Sequence, residues 1–325
     1  MSRNRSRLLV LFAAATLASP ALARQEPSCS APLGERPQAA GISIVPEAPG
    51  ADDLPSLRVT VEATGHFMRV FFDEGSERAA WSRAACLGRQ LDLLTAALGD
   101  PRRDAEWFSV VFTQDADYIP PRGPDDKERW PILIGADGGF PDMSRRMVVV
   151  TMPHEQVHDF QKRSGAIPPR WVSEGHATWV GLAITEQLDP AAARTDRDRL
   201  SGDLARSTVP ANLAQWGSVR PRPEAIMRQV SAEDRARMQA DPSYMPSGPF
   251  SFTSADLIGD ESNMLARYAA SLEVFEELEA RHGARAVHDW AREVTAGSGR
   301  ITPDILAESV STHFGERLDD LLGDR

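Results

Sequence analysis

Long apolar runs are scarce in this 325-residue chain. No stretch approaches the 18 or so consecutive apolar residues that a membrane-spanning helix needs, so no membrane span is expected. Cysteine is scarcer still: only Cys29 and Cys86 occur. Neither has zinc-finger spacing, and neither has the histidine partner that a catalytic thiol requires. Positive charge is in deficit, with 36 Lys and Arg against 47 Asp and Glu, for a formal charge of −11. That balance argues against nucleic acid and anionic membrane surfaces as partners. Histidine is sparse too, seven in all, so two at ligand spacing rarely arise by chance.

The chain opens with the marks of export. Arg3, Arg5 and Arg7 form a basic start, residues 8–18 an apolar stretch too short to cross a bilayer, and Ala21-Leu22-Ala23 a small-x-small cleavage site. Residues 1–23 therefore read as a signal peptide, and the protein as periplasmic or secreted. Cleavage removes three positive charges and no negative ones, taking the formal charge from −11 to about −14. In an oxidising compartment a single Cys29–Cys86 bridge is the natural reading, with two separate thiols as the alternative.

Residues 24–56, rich in Pro, Ala and Gly, are expected to be an extended tail. From residue 57 onward the chain reads as one α+β domain. Strands are expected at 57–62 and 67–72 around a turn at Gly65, then a helix over 74–98 that stops at Gly99-Asp100-Pro101. Further strands are expected at 107–112, 130–134 and 147–151. Residues 189–262 carry many charges and scattered Pro, with a periodic run only at 223–240; they read as short surface helices and loops, or as a lid in which Tyr244, Phe250 and Phe252 enter a pocket. Helices follow at 262–282, closed by Gly283, at 284–295 and at 304–322.

The stretch that organises the rest is 145–177. Val148 to Val150 read as a buried strand feeding a helix, with Thr151 as N-cap and Pro153 in the first turn. That helix carries His154-Glu155-Gln156-Val157-His158, whose two imidazoles, four residues apart, project from one face. The spacing suits two ligands of a tetrahedral Zn²⁺, with Glu155 placed to act on a metal-activated water. A third ligand is needed, and Glu174, in Trp171-Val172-Ser173-Glu174-Gly175-His176-Ala177 on the next helix, is the candidate. His176 lies only two residues from it and faces another side of that helix.

His154-Glu155-x-x-His158 followed by Glu174-Gly175-x-Ala177 resembles the gluzincin metallopeptidases, the group that includes thermolysin and the zinc aminopeptidases. The Trp-x-x-Glu-Gly-x-Ala form is closer to the aminopeptidases and their small bacterial relatives. The metzincin pattern is absent, because Ser164 stands where its third His belongs. The resemblance spans about residues 57–322, although only the two zinc helices are specific. It implies a zincin-like fold: an N-terminal mixed sheet with helices over 57–188, then a mainly helical part over 189–325. It also implies one Zn²⁺ per chain on His154, His158 and Glu174, with Glu155 as general base. An edge strand that binds peptide backbone is implied as well, for which residues 130–142 are the candidate. Tyr268 by itself is a core tyrosine on the helical stripe of 262–282. The resemblance implies instead that its hydroxyl stabilises the oxyanion, with Ser271 where those aminopeptidases tend to have Gly.

Two departures stand out. No Gly-x-Met-Glu-Asn segment precedes the zinc helix to grip a free α-amino group: residues 138–143 sit near that place without the Glu. One turn after Glu174, where thermolysin-like enzymes carry an Asp that orients a ligand His, this chain has Thr178, which leaves Asp159 or a residue outside the motif for that task. The expected function is an exported zinc metallopeptidase acting on peptides or proteins. The alternatives are a zinc hydrolase of the same fold with a non-peptide substrate, and an inert exported binding module that retains the motif.

Overall fold

The structure is a computed structural model that describes residues 29, 33, 35–49, 54–99, 106, 107, 109–118, 129–241, 244, 246–260, 262–296, 298–323 and 325. Residues 1–23, read from the sequence as a signal peptide, lie outside the described residues.

Short apolar strands build the N-terminal sheet, with the third and fourth the most deeply buried. Strands β1 (Ile42–Glu47), β2 (Ser56–Val61) and β3 (Phe67–Phe72) run antiparallel; β4 (Ser109–Thr113) and β5 (Arg129–Leu133) then add in parallel, in the order β1-β2-β3-β4-β5. The β2–β3 turn closes at Gly65 with φ +75°, a left-handed conformation that glycine adopts without strain. β1 falls inside the stretch expected to be an extended tail, because Ile42 and Ile44 pair with β2 and pack on the core. β5 forms the other edge, where Pro131 costs no ladder hydrogen bond on the open side.

Helix α1 (Glu77–Leu98) lies across the sheet, close enough that a Cβ on Gly88 would collide with Ile42 and stand 2.9 Å from Val59. It stops at Gly99 in the left-handed conformation, as the sequence predicts. Cys86 on α1 is bonded to Cys29, with Cα atoms 5.3 Å apart, which pins the N-terminal segment to the core.

The expected strand at 147–151 is not a strand. α2 (Asp142–Arg146) leads into a π-helical segment, Met147–Thr151, and then α3 (Met152–Ser164). Thr151 has helical angles and no capping bond, so it is not an N-cap. Val148, Val149 and Val150 are buried as a strand's would be, and a short apolar run does not distinguish the two states. Pro153 therefore sits inside a helical run with no N–H to give, and the carbonyl of Val149, four residues earlier, accepts from the Thr185 hydroxyl at 2.6 Å.

After β6 (Ala166–Ile167), helices α4 (Arg170–Leu188) and α5 (Pro190–Arg206) are joined by Asp189, whose side chain caps α5. A 17-residue helix was not expected there. The remainder of 189–262 is short: β7 (Val219–Pro221), α6 (Pro223–Met227), α7 (Ala232–Ala240) and β8 (Leu257–Gly259), so the periodic run at 223–240 is broken in two. α8 (Met264–His282) and α9 (Ala284–Ala296) follow, then β9 (Gly299–Arg300), which pairs with β6. The expected helix over 304–322 divides at Gly315 into α10 (Pro303–Phe314) and α11 (Leu318–Leu322). The chain is thus a mixed sheet followed by a mainly helical part, as expected from the sequence.

Three glycine or amide contacts set the helices that matter. A Cβ on Gly181 of α4 would stand 3.0 Å from the backbone N of His154. One on Gly175 would stand 2.8 Å from the Phe275 ring of α8. Gln156, facing inward from α3, accepts from Gln90 of α1 at 2.8 Å, which ties the motif helix to the sheet layer.

Candidate metal centre

α3 supplies His154, Glu155 and His158; α4 crosses it at Gly181 and brings Glu174 over the two rings. His158 Nε2 lies 3.1 Å from His154 Nε2 and 3.1 Å from Glu174 Oε2, and His154 Nε2 lies 3.3 Å from the same oxygen. The three donor atoms form a nearly equilateral triangle, and they are the only group of this kind among the described residues. Ligands at zinc's usual bond length of about 2.0–2.1 Å stand about 3.3–3.4 Å apart in a tetrahedron. Two imidazole nitrogens, one carboxylate oxygen and that spacing fit a zinc ion and leave a fourth position open.

The electrostatics favour positive charge at the centre of the triangle. Burial alone would push the Glu174 carboxyl up, but hydrogen bonds and charge from His154 and His158 hold it far below the carboxylate range. Burial would push the His158 ring down, and Glu174 beside it holds it above its ordinary value. Each charge is stabilised by the other.

The outer nitrogens of both rings have partners. His158 Nδ1 donates to Gln161 Oε1 at 2.8 Å, which leaves Nε2 free to face the triangle. Gln161 is itself held by the Ser173 hydroxyl (2.7 Å) and donates to the Ser173 carbonyl (3.1 Å). The Thr178 hydroxyl lies 3.3 Å from His154 Nδ1, in the place where the sequence comparison looked for an Asp. Asp159, the alternative considered for that task, pairs instead with Arg163. Gln161 was missed from sequence, although its spacing of three residues from His158 on one helix was a usable signal. Arg170, one turn before Glu174, reaches the carboxylate's other oxygen at 3.5 Å.

His176 lies on the buried side of α4, stacked on Phe275 and 3.2 Å from the Gln161 amide. Complete burial pushes its pKa down to about 3, so the ring is neutral. Tyr268 on α8 comes to the cleft, its ring centroid 6.2 Å from that of His154. Burial, then the Glu174 charge, pushes its hydroxyl up to about 12. Glu155, His154 and Tyr268 line one cavity of about 310 Å³. Tyr244, Phe250 and Phe252 do not line it: Tyr244 donates to Asp234 at 2.8 Å, and the two phenylalanines stack on each other. The edge strand β5 does not line it either.

No protein-family model matches the chain, and no curated protein matches it in sequence. Among solved structures, similar ones include an M1 zinc metallopeptidase from Deinococcus radiodurans, at 13% identity and TM-score 0.40, over 86% of this chain and 51% of that one. A mutant of that enzyme bound to a Tyr-Ser-Ala substrate is similar at 12% identity and TM-score 0.44, over 87% of this chain and 60% of that one. The chain thus spans about half to three fifths of the length of these structures. At such values the functional reading rests on the site's own residues.

Proposed function

We propose that the protein is an exported zinc-dependent metallopeptidase. The observation that carries this reading is the triangle of His154 Nε2, His158 Nε2 and Glu174 Oε2, with edges of 3.1–3.3 Å, whose His154 lines the same cavity as Glu155 and Tyr268. Zinc held there supplies a Lewis acid that polarises a carbonyl and makes a water more acidic.

The chain's own residues do the rest. The Glu155 carboxylate takes a proton from the attacking water as its oxygen adds to the peptide carbonyl carbon, then delivers that proton to the leaving amine as the C–N bond breaks. Tyr268, with a pKa of about 12, keeps its phenolic proton near neutrality and donates it in a hydrogen bond to the developing oxyanion. Gln161 and Thr178 hold the imidazoles in orientation. The Cys29–Cys86 bond suits an oxidising compartment, and no helix among the described residues is long and apolar enough to cross a membrane.

The deciding experiment uses the zinc-loaded mature chain, residues 24–325, with a peptide library and a Glu155→Gln variant. Hydrolysis should fall by about 10²–10⁴-fold in the variant while the metal stays bound. Full turnover in the variant would refute the role of Glu155. Failure of the zinc-loaded wild type to cleave any peptide would refute the peptidase reading.

A further inference from the structure

The wall of the cleft beside Glu155 carries a group that hydrolysis does not require. Arg146, at the end of α2, places Nε 3.1 Å and Nη2 2.8 Å from Asp196 Oδ1 on α5. From the other side Arg199 places Nε 3.0 Å from the same oxygen and Nη2 3.2 Å from Oδ2. Two guanidiniums thus share one carboxylate. Arg199 also reaches Asp203 at 3.0 Å, and Asp203 is paired again, with Arg206. Within this network three arginines and two aspartates leave one positive charge over, in a cavity shared with the Glu155 carboxylate.

The placement of that surplus matters. Asp196 is nearly covered, with 8% of its side chain exposed, while Arg146 and Arg199 keep 43% and 39%. Arg146, Asp196 and Arg199 line both the cavity of about 310 Å³ that holds Glu155 and an adjoining one of about 360 Å³. A pair that only fastened α5 to α2 would need one arginine. Here two guanidinium forks that line the cleft are already fixed by a buried carboxylate, Arg146 through Nε and Nη2, and Arg199 through Nε and Nη2 with Nη1 on Asp203. Such a fork matches a carboxylate's two oxygens, and little side-chain freedom remains to be lost on binding.

We propose that Arg146 and Arg199 form a carboxylate-binding subsite, so that the preferred peptides carry a carboxylate a short distance from the bond that is cut. The proposal rests on the peptidase reading of the metal centre. Arg146 precedes His154 by eight residues, at most about 12 Å of helix at the α-helical rise of 1.5 Å each, since the π-helical segment between them is more compressed. An extended peptide covers that in about three to four residues. The carboxylate is either an Asp or Glu side chain or the chain's own C-terminus.

The test uses the zinc-loaded mature chain and fluorogenic peptides with Glu or Gln placed in turn at each of four positions on either side of the cleaved bond. Each is made with a free or an amidated C-terminus. A carboxylate at one position should raise kcat/KM by about tenfold or more, chiefly through KM. In Arg146→Gln and Arg199→Gln the ratio of acidic to neutral kcat/KM should fall to about one, and Arg146→Lys should restore part of it. Loss of the preference on amidation alone assigns the subsite to the C-terminus; its survival assigns it to a side chain. Equal rates for all wild-type substrates, or a ratio unchanged in both Gln variants, would overturn the subsite. If the variants misfold, or wild type cleaves nothing, fluorescence anisotropy of labelled Glu and Gln peptides on the Glu155→Gln chain decides instead. Tighter binding of the Glu peptide supports the subsite even where the peptidase reading fails, and equal binding overturns it.

Discussion

The Thr185 hydroxyl donates to the Val149 carbonyl across 2.6 Å, joining α4 to the helical run that leads into the histidine motif. The acceptor is the carbonyl to which Pro153 has no N–H to offer. The same hydroxyl lies 2.8 Å from the Gly181 carbonyl one turn back on α4, so the bond to Val149 is the one that joins the two helices.

Replacing Thr185 with Val keeps the shape and removes the bridge, leaving a buried carbonyl short of a donor. The cost should be about 1–3 kcal/mol. Thermal and urea unfolding of the metal-free protein would measure it. Stability equal to wild type would mean that the π-helical segment does not depend on this bond.

The ring partners should matter for metal retention. His158→Ala should lose the zinc outright. Gln161→Ala, which frees His158 Nδ1 from its 2.8 Å bond, should weaken zinc binding by about 10–100-fold. Competition with a chromogenic chelator would give both values. A Gln161→Ala chain as tight as wild type would show that the His158 ring needs no such support.

Asp196 predicts a pH dependence of stability. Burial would raise its pKa, but hydrogen bonds from Arg199 and Arg146, and their charges, hold it below the ordinary 3.8. A carboxyl depressed by folding contributes in full above its unfolded pKa, and the contribution disappears as the pH falls through the folded value. Asp196→Asn should therefore be less stable than wild type at pH 7, with the gap narrowing below pH about 4. A gap independent of pH would contradict the ion-paired account of this residue.

The Cys29–Cys86 bond closes a loop across a sequence separation of 57 residues. Reduction, or a Cys29→Ala/Cys86→Ala double variant, should cost about 2–4 kcal/mol. Unfolding with and without reductant would report it. Unchanged stability would mean that the N-terminal segment is held by packing alone.

Parts of the fold were readable in advance because they repeat a local period. β3 matches its expected residues, 67–72, since its apolar run is bounded by turns on both sides. α1 and α4 end at Gly99 and Asp189, where the residue types stop a helix. α5 was not readable: its buried positions are Ala193, Asp196 and Leu200, a helical stripe with a charged residue in the middle. That aspartate belongs inside only because arginines from two elements meet it there. The run at 148–150 was misread for a related reason. Three consecutive valines suit a strand, yet they are also buried where a helical segment packs against α4 and α5.

Residue spacing was enough to put His154 and His158 on one helical face with Glu155 between them, because that arrangement depends only on 3.6 residues per turn. In an oxidising compartment two cysteines made one bond the natural reading, with separate thiols as the alternative, and the fold brings the two together. The approach of Glu174, sixteen residues beyond His158, was decided by the packing of α4 on α3, where Gly181 lets the backbones come close. Packing between helices likewise set Thr178 on the His154 ring, brought Tyr268 to the cleft and set Arg146 on Asp196. Those contacts join residues far apart in sequence, and only the burial of apolar faces between helices brings them together.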